Sequence, residues 1–279
     1  MDLLVISGNI GTGKSTLINN LKEYIENKYE RMNDMKLQRW TRVLTFKEPL
    51  EDWKPFLERY YTLLKKLKDE RSRQLLCKYK DHNSKNCNEC RVDIKDMERQ
   101  VEKACIDIQM QCFYHFSKIT FIIEQIYRKQ NEKLKNNDKV MDRYLVMVER
   151  SPIETVKVFI KNIKDNISLE NYRLLKQLAK LYTDNVVWKN ASYIMLTCNV
   201  NTMFRRINNS NNNVDNSDEN NNNNTRKALL KSDSMITVEY LDRIESLYER
   251  CKFLKNNAKI INTEERKVEI VIKELINTL

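Results

Sequence analysis

The sequence predicts an α/β protein, a mostly parallel sheet covered by helices on both faces. Two observations predict it. Short runs rich in aliphatic and β-branched residues, Leu3 to Ser7, Arg42 to Phe46, Val140 to Val148, Tyr193 to Cys198 and Lys259 to Asn262, read as strands. Between them lie long stretches of helical periodicity, among them Leu17 to Tyr29, Met97 to Gln130 and Val238 to Leu254. Strands that alternate with helices need crossover connections, and crossovers make neighbouring strands parallel.

The first strand leads into the most informative stretch. "GNIGTGKST", residues 8–16, holds all 3 glycines of the 279-residue chain and fits GxxxxGK[ST] between an apolar strand and the helical TLINNLKEYI. Backbone N–H groups in such a loop must point at phosphate oxygens, and a Cβ at several positions would force unfavourable φ angles or block the approach. Gly8, Asn9, Ile10, Gly11, Thr12, Gly13, Lys14, Ser15 and Thr16 are therefore candidate nucleotide-binding residues. Lys14 is placed to reach the β and γ phosphates and Ser15 to offer its hydroxyl to Mg²⁺, while the helix N-terminus adds a favourable field.

Ligands of open parallel sheets bind beyond the carboxyl ends of the strands. The next two strands both end in a carboxylate. VLTFKEPLEDW puts Glu48 just before the terminating Pro49, and YLVMVERSPIETVKVF puts Glu149 and Arg150 before a helix with Ser151 as N-cap and Pro152 in its first turn. Glu48 can take a proton from an acceptor hydroxyl, and Arg150 can stabilise charge on a transferring phosphoryl group.

Composition narrows the rest. One domain over residues 1–279 is expected, with insertions at about 64–99 and 208–224. The N-terminus has no basic leader or cleavage site, and no apolar stretch approaches the roughly 18 residues of a membrane span, so a cytoplasmic protein without membrane contact is expected. The 7 cysteines read as reduced thiols. Lys and Arg exceed Asp and Glu by 50 to 39, but the lysines are spread along helix-like stretches and no nucleic-acid motif accompanies them. Residues 208–224 are mostly asparagine. Ordering them would cost about 1–2 kcal/mol per residue with no burial to offset it, so a disordered insertion is expected. Cys77, His82, Cys87 and Cys90, spaced CxxxxHxxxxCxxC, are either a tetrahedral structural Zn²⁺ site or a coincidence within a charged hairpin.

Taken in order, GNIGTGKST, EPLEDW and ERSPIETVKVF resemble the deoxyribonucleoside kinases, and FRRI with ITVEYLDRIESLYERC resembles that family's arginine-bearing lid and the helix after it. The resemblance implies a P-loop kinase fold with a five-stranded parallel sheet and a lid, a homodimer, and ATP- and Mg²⁺-dependent phosphorylation of a deoxynucleoside 5′-hydroxyl. It also implies residue roles. Glu48 matches the general base, Trp53 the tryptophan of the nucleoside pocket, Glu149 the carboxylate near Mg²⁺ and Arg150 the arginine near the 5′-oxygen. Phe159 matches the aromatic stacked on the base, Gln111 the glutamine at the base edge, Tyr61 the tyrosine at the sugar 3′-hydroxyl and Arg206 the first lid arginine, beside adenine. In the lid, Arg226, Lys227 and Lys231 are the further cations and Asp233 the carboxylate. Lys118 aligns with an arginine of the cytidine enzymes and Thr155 with its aspartate partner; lacking that acid, the chain is expected to prefer pyrimidines or to be broad. Two other readings stay open: a thymidylate-type nucleoside monophosphate kinase, suggested by Asp142, Arg143 and Tyr144, and a catalytically silent kinase-fold assembly subunit.

Overall fold

A computed structural model of the chain describes residues 1–29, 40–79, 93–135, 142–212 and 236–276. Its strands are β1 (Asp2–Gly8), β2 (Arg42–Phe46), β3 (Tyr144–Glu149), β4 (Ser192–Thr197) and β5 (Ala258–Asn262). They form one parallel sheet in the order β2-β3-β1-β4-β5. The expected strand from Val140 begins later, at Tyr144, and runs one residue further, to Glu149; residues 140 and 141 lie outside the described part. Register sets the site. Ile6 of β1 faces Glu149 of β3, and Phe46 of β2 faces Val148, so the three chain ends that carry the motifs emerge side by side.

Alternation along β1 divides the core into two layers. Leu4 and Ile6, with Leu145, Met147, Ile194 and Leu196, face α1 (Lys14–Tyr29) and the C-terminal helix Val268–Ile276, through Leu17, Leu21, Val271 and Leu275. Leu3 and Val5, with Val146, Val148 and Met195, face the other way. That layer is built from Phe116, Ile119 and Ile123 of a 42-residue helix, Ile94–Lys135, together with Trp188, Ile244, Tyr248 and Leu254. Strands buried on both faces explain why β1 and β3 read as unbroken apolar runs.

The helices after β2, α2 (Leu50–Tyr79) and α3 (Ile94–Lys135), pack as a hairpin through Leu67, Val101, Ala104 and Ile108. Residues 64–79 and 94–99, read as part of an insertion, continue these two helices. After β3, α4 (Pro152–Glu154) runs into a π-helical turn, Thr155–Phe159, and a last α-turn, α5 (Ile160–Asn162). Next come α6 (Leu169–Thr183), α7 (Val186–Lys189) and, past β4, α8 (Val200–Asn212). The helix expected over Val238 to Leu254 is broken into α9 (Val238–Glu249) and α10 (Lys252–Asn257), because the Arg250 N–H turns back to the carbonyls of Ser246 and Tyr248. α11 (Val268–Ile276) follows β5. Of the asparagine tract, residues 213–224 lie outside the described part. Among the described residues no helix is long and apolar enough to cross a membrane.

Trp188 anchors the α3 layer. It is fully buried, stacks edge-on against Phe116 at 5.6 Å, and donates its indole N–H to Thr120 Oγ1 at 3.0 Å. Trp188→Ala removes the ring and orphans that contact, so stability measured by urea unfolding should fall by about 3–5 kcal/mol.

Candidate active site

The carboxyl ends of β1, β2 and β3 open into a cavity of about 800 Å³, lined at its centre by Gly11 to Thr16, Glu48, Glu149 and Arg150. The loop from β1 to α1 is shaped by its glycines. A Cβ on Gly8, at φ 135°, would lie 2.4 Å from the Leu196 carbonyl oxygen, so close packing against β4 excludes any side chain. At Gly13, φ is 93° with nothing within 4 Å of a Cβ, so backbone conformation alone excludes an L side chain there. Ile10 to Thr16 line the cavity, whereas Gly8 and Asn9 lie beneath it. Asn9, expected to touch nucleotide, is instead a tether: its amide donates to Leu241 O at 2.9 Å and Glu245 Oε2 at 3.1 Å, tying the loop to α9.

Lys14 is buried, donates to Asn9 O at 2.9 Å and sits 3.8 Å from Glu149 Oε1. Burial, with Arg150 nearby, lowers its pKa from the ordinary 10.5. Ser15 Oγ lies 3.1 and 2.9 Å from the two oxygens of Glu149. A hydroxyl and a carboxylate together at the loop form the hard oxygen donor set that Mg²⁺ takes.

Arg150 is the most heavily contacted group. Its backbone N–H extends the β1 ladder to Ile6 O at 3.0 Å, and its φ of 67° is left-handed, unusual for a residue with a side chain. Nε lies 2.5 Å from Glu48 Oε1, Nη1 donates to Gly8 O at 2.8 Å and to the Tyr248 hydroxyl, and the guanidinium covers the Phe159 ring at 4.8 Å. Burial works against the Arg150 charge, but Glu48, Tyr248, Glu154 and Glu149 outweigh it and raise the pKa. The Glu48 carboxyl is pushed above the ordinary 4.5, chiefly by burial, with Arg150 opposing.

Two members of this cluster escape the sequence motifs. Glu154 is fully buried and accepts from Ser7 Oγ at 2.8 Å and the Tyr248 hydroxyl at 2.7 Å. Its signal was a lone acid in an otherwise buried PIETV turn, and that of Tyr248 a hydroxyl on the apolar stripe of α9. Ser151 has the extended backbone of an N-cap but makes no capping bond; its hydroxyl goes to Glu154 Oε2 at 3.4 Å.

Trp53, Tyr61 and Phe159 all line the cavity that holds Glu48. Gln111 does not. Gln109 does, and its buried Oε1 has no hydrogen-bond partner. Two residues are about 200° of helix, so only one of the pair can face the cavity. Gln109, Cys112 and Phe116 form the α3 stripe that does. The same rotation leaves Lys118 exposed, over the Tyr114 ring at 4.1 Å and away from the cavity. Thr155 lines the wall opposite. Tyr240, not anticipated, also lines the cavity, and its hydroxyl hydrogen-bonds with that of Tyr61.

At the other end, Arg206 donates to Thr263 O at 2.7 Å and Thr263 Oγ1 at 3.1 Å, beside Ile10 and Arg266. Arg226, Lys227, Lys231 and Asp233 lie outside the described residues, as do His82, Cys87 and Cys90. Among the described residues no group of three or more His, Cys, Asp or Glu could hold a metal. Asp142 and Arg143 lie at the opposite end of β3 from the cavity, Asp142 pairing with Arg42 at 3.4 Å, so the motif suggesting a monophosphate kinase is not part of the site.

The chain was compared with known families, proteins and structures. No curated protein matched the sequence. Among solved structures, the deoxyadenosine kinase from M. mycoides, determined with bound dATP, is similar at 17% identity and a TM-score of 0.46, over 99% of this chain and 98% of that chain. The model of the family described as "dNK: Deoxynucleoside kinase" matches residues 4–277. The chain therefore belongs to the deoxynucleoside kinase family and is an enzyme that phosphorylates deoxynucleosides with ATP.

Proposed function

We propose that Glu48 is the general base of this transfer, taking the proton of the nucleoside 5′-hydroxyl as that oxygen attacks the γ-phosphorus of ATP and ADP leaves. The observation that carries the reading is the Glu48–Arg150 pair at the mouth of the phosphate loop, 2.5 Å apart. A base with raised proton affinity drives proton removal better, and an adjacent fixed cation stabilises charge on the transferring group. Lys14 and the N–H groups of the loop hold the β and γ phosphates; Arg206 holds the adenine end. Ser15 and Glu149 would hold Mg²⁺, which supplies charge neutralisation on the phosphates.

The nucleoside lies between Trp53 and Phe159, with its sugar at the Tyr61–Tyr240 hydroxyl pair and its base edge at Gln109. Gln109 replaces Gln111 in this role because it faces the cavity and has an unpaired amide oxygen. An amide offers one donor and one acceptor, and turning it over fits either order on a base edge. Lys118 points away from the cavity, and Thr155 stands where the resemblance places an acid. Broad specificity follows. The chain also pairs with a second copy, a reading supported by the exposed Met110, Tyr114 and Phe121 of α3 and Leu174 and Leu181 of α6.

Glu48→Gln should lower kcat by about 10²–10⁴-fold. In the native enzyme kcat/KM should fall as pH drops through a midpoint above the ordinary glutamate value of 4.5, because the base works only deprotonated and burial raises its pKa. That limb should vanish in Glu48→Gln. Assayed with ATP against the four deoxynucleosides, the enzyme should phosphorylate purines and pyrimidines alike, with kcat/KM values spread over less than about 100-fold, a smaller gap than a site with an obligatory charged partner produces. Thymidine monophosphate should not be a substrate. Sedimentation of the native chain should give a dimer, and Phe121→Asp a monomer.

A further inference from the structure

Glu154 does not line the cavity, yet its carboxylate is fully buried at the hub of the site. Four donors converge on it from three elements: Ser7 Oγ at 2.8 Å and Ser151 Oγ at 3.4 Å on Oε2, the Tyr248 hydroxyl at 2.7 Å and the Gly8 N–H at 3.5 Å on Oε1. Arg150 Nη1 lies 3.7 Å from Oε1. Burying a carboxylate is costly, and an apolar side chain of similar volume would hold such a position at least as well. Packing therefore does not account for an acid here. Its geometry toward Arg150 does.

The guanidinium is held on three sides. Nε meets Glu48, Nη1 donates to Gly8 O and to the Tyr248 hydroxyl, and the Phe159 ring covers one face. Nη2 makes no hydrogen bond among the described residues. The Tyr248 oxygen can accept from Arg150 only while its own proton is directed elsewhere, and two acceptors compete for that proton, Glu154 Oε1 at 2.7 Å and Gly8 O at 3.0 Å. An ionised acceptor makes the stronger bond. With Glu154 charged, the hydroxyl turns to it, and Gly8 O stays available to Arg150.

We propose that Glu154, acting through the Tyr248 hydroxyl, is a positioning residue for phosphoryl transfer: it fixes the Arg150 guanidinium with Nε on Glu48 and leaves Nη2 as the edge for the transferring group. This role rests on the assignment of Glu48 and Arg150 as the reacting pair. It also has an electrostatic signature. The groups facing Glu48 are Arg150 and Glu149 at the end of β3, Lys14 on α1, Cys112 on α3, Tyr240 and Tyr248 on α9 and Glu154 itself. Within this set Arg150 lowers the proton affinity of Glu48 more strongly than Glu154 raises it, so loosening the guanidinium raises it further.

The test uses Glu154→Gln, which keeps the shape and removes the charge, and Tyr248→Phe, which removes only the relaying hydroxyl. Each should lower kcat by about 10- to 100-fold, the scale set by small misplacement of a reacting group, with KM for ATP and nucleoside within about threefold. The double variant should be no slower than the poorer single one, because the two residues act in series. In Tyr248→Phe, which leaves the Glu154 charge in place, the acidic limb of kcat/KM should move to higher pH as Arg150 loses its hold on Glu48, which a packing role would not do. A folded Glu154→Gln enzyme with native kcat, an unmoved limb in Tyr248→Phe, or losses that add in the double variant overturns the proposal. Should Glu154→Gln fail to fold, Tyr248→Phe decides alone: reduced kcat at unchanged KM supports the role, and native kcat overturns it. Glu48→Gln is measured alongside. An active Glu48→Gln removes the reading of the base itself, whereas an inactive one beside a normal Glu154→Gln removes only the positioning role.

Discussion

The site depends on one buried cation. Arg150 sits at the carboxyl end of β3 with Glu48, Glu149, Glu154 and the Tyr248 hydroxyl around it, gathered from the end of β2, the β3–α4 turn and α9. An isolated charge in such a place would be prohibitive. It is tolerated because the carboxylates are buried with it, so each charge is the condition for the other. The parallel register of β1 and β3 makes this possible by bringing Ile6 opposite Glu149, which sets the phosphate loop against the Glu149–Arg150 turn. Shifting that register by one residue would place the cation on the wrong side of the pleat.

The backbone around this cluster departs from regular geometry where the chemistry is densest. Arg150 has a positive φ, and the helix that follows opens into a π-turn over Thr155–Phe159, closed by the Ile160 N–H on Thr155 O. Strain of this kind costs about 1–3 kcal/mol per residue and persists only when neighbouring contacts over-determine it. Here they do: the Arg150 N–H continues the β1 ladder while its side chain is held by Gly8, Glu48 and Tyr248. The π-turn presents both Thr155 and Phe159 to the cavity, the latter beneath the guanidinium. A widened turn is a frequent device where a helix must aim side chains at a ligand.

Motifs whose chemistry is local were legible from sequence. The glycine loop, the carboxylate before Pro49 and the Glu149–Arg150 pair are each fixed by a strand end, so alternation and turn residues sufficed to place them, and the five strands fell within a few residues of their observed bounds. What failed was rotation about a long helix. Gln109 and Gln111 stand in the same apolar context of IQMQCFYHFSKI, and periodicity alone does not say which of two glutamines two residues apart faces a cavity; the packing of α2 and α6 against α3 decides it. Glu154 and Tyr248 were hidden for another reason. Their partners are 94 residues apart in sequence, and a buried acid or tyrosine on a helix has no local pattern that separates it from a solvated one.

The balance of terms at Glu48 gives the site a dependence on its own occupancy. Burial raises the proton affinity of this carboxyl while Arg150 lowers it, and its side chain retains 14% exposure toward the cavity. A nucleoside seated between Trp53 and Phe159 would exclude the water that reaches this remaining surface. Desolvation then grows, and with it the affinity for a proton, while the ion pair with Arg150 at 2.5 Å opposes the rise. On the proposed assignment, the carboxylate becomes the stronger base at the moment the 5′-hydroxyl is beside it, and Arg150 limits how far its proton affinity rises. Any change that moves Arg150 away from Glu48 would remove the opposing effect and keep the desolvation, raising the proton affinity of Glu48 further. That is the physical reason the anchoring of one guanidinium, by Gly8, Tyr248 and Glu154, bears on the chemistry of a carboxylate none of them touches.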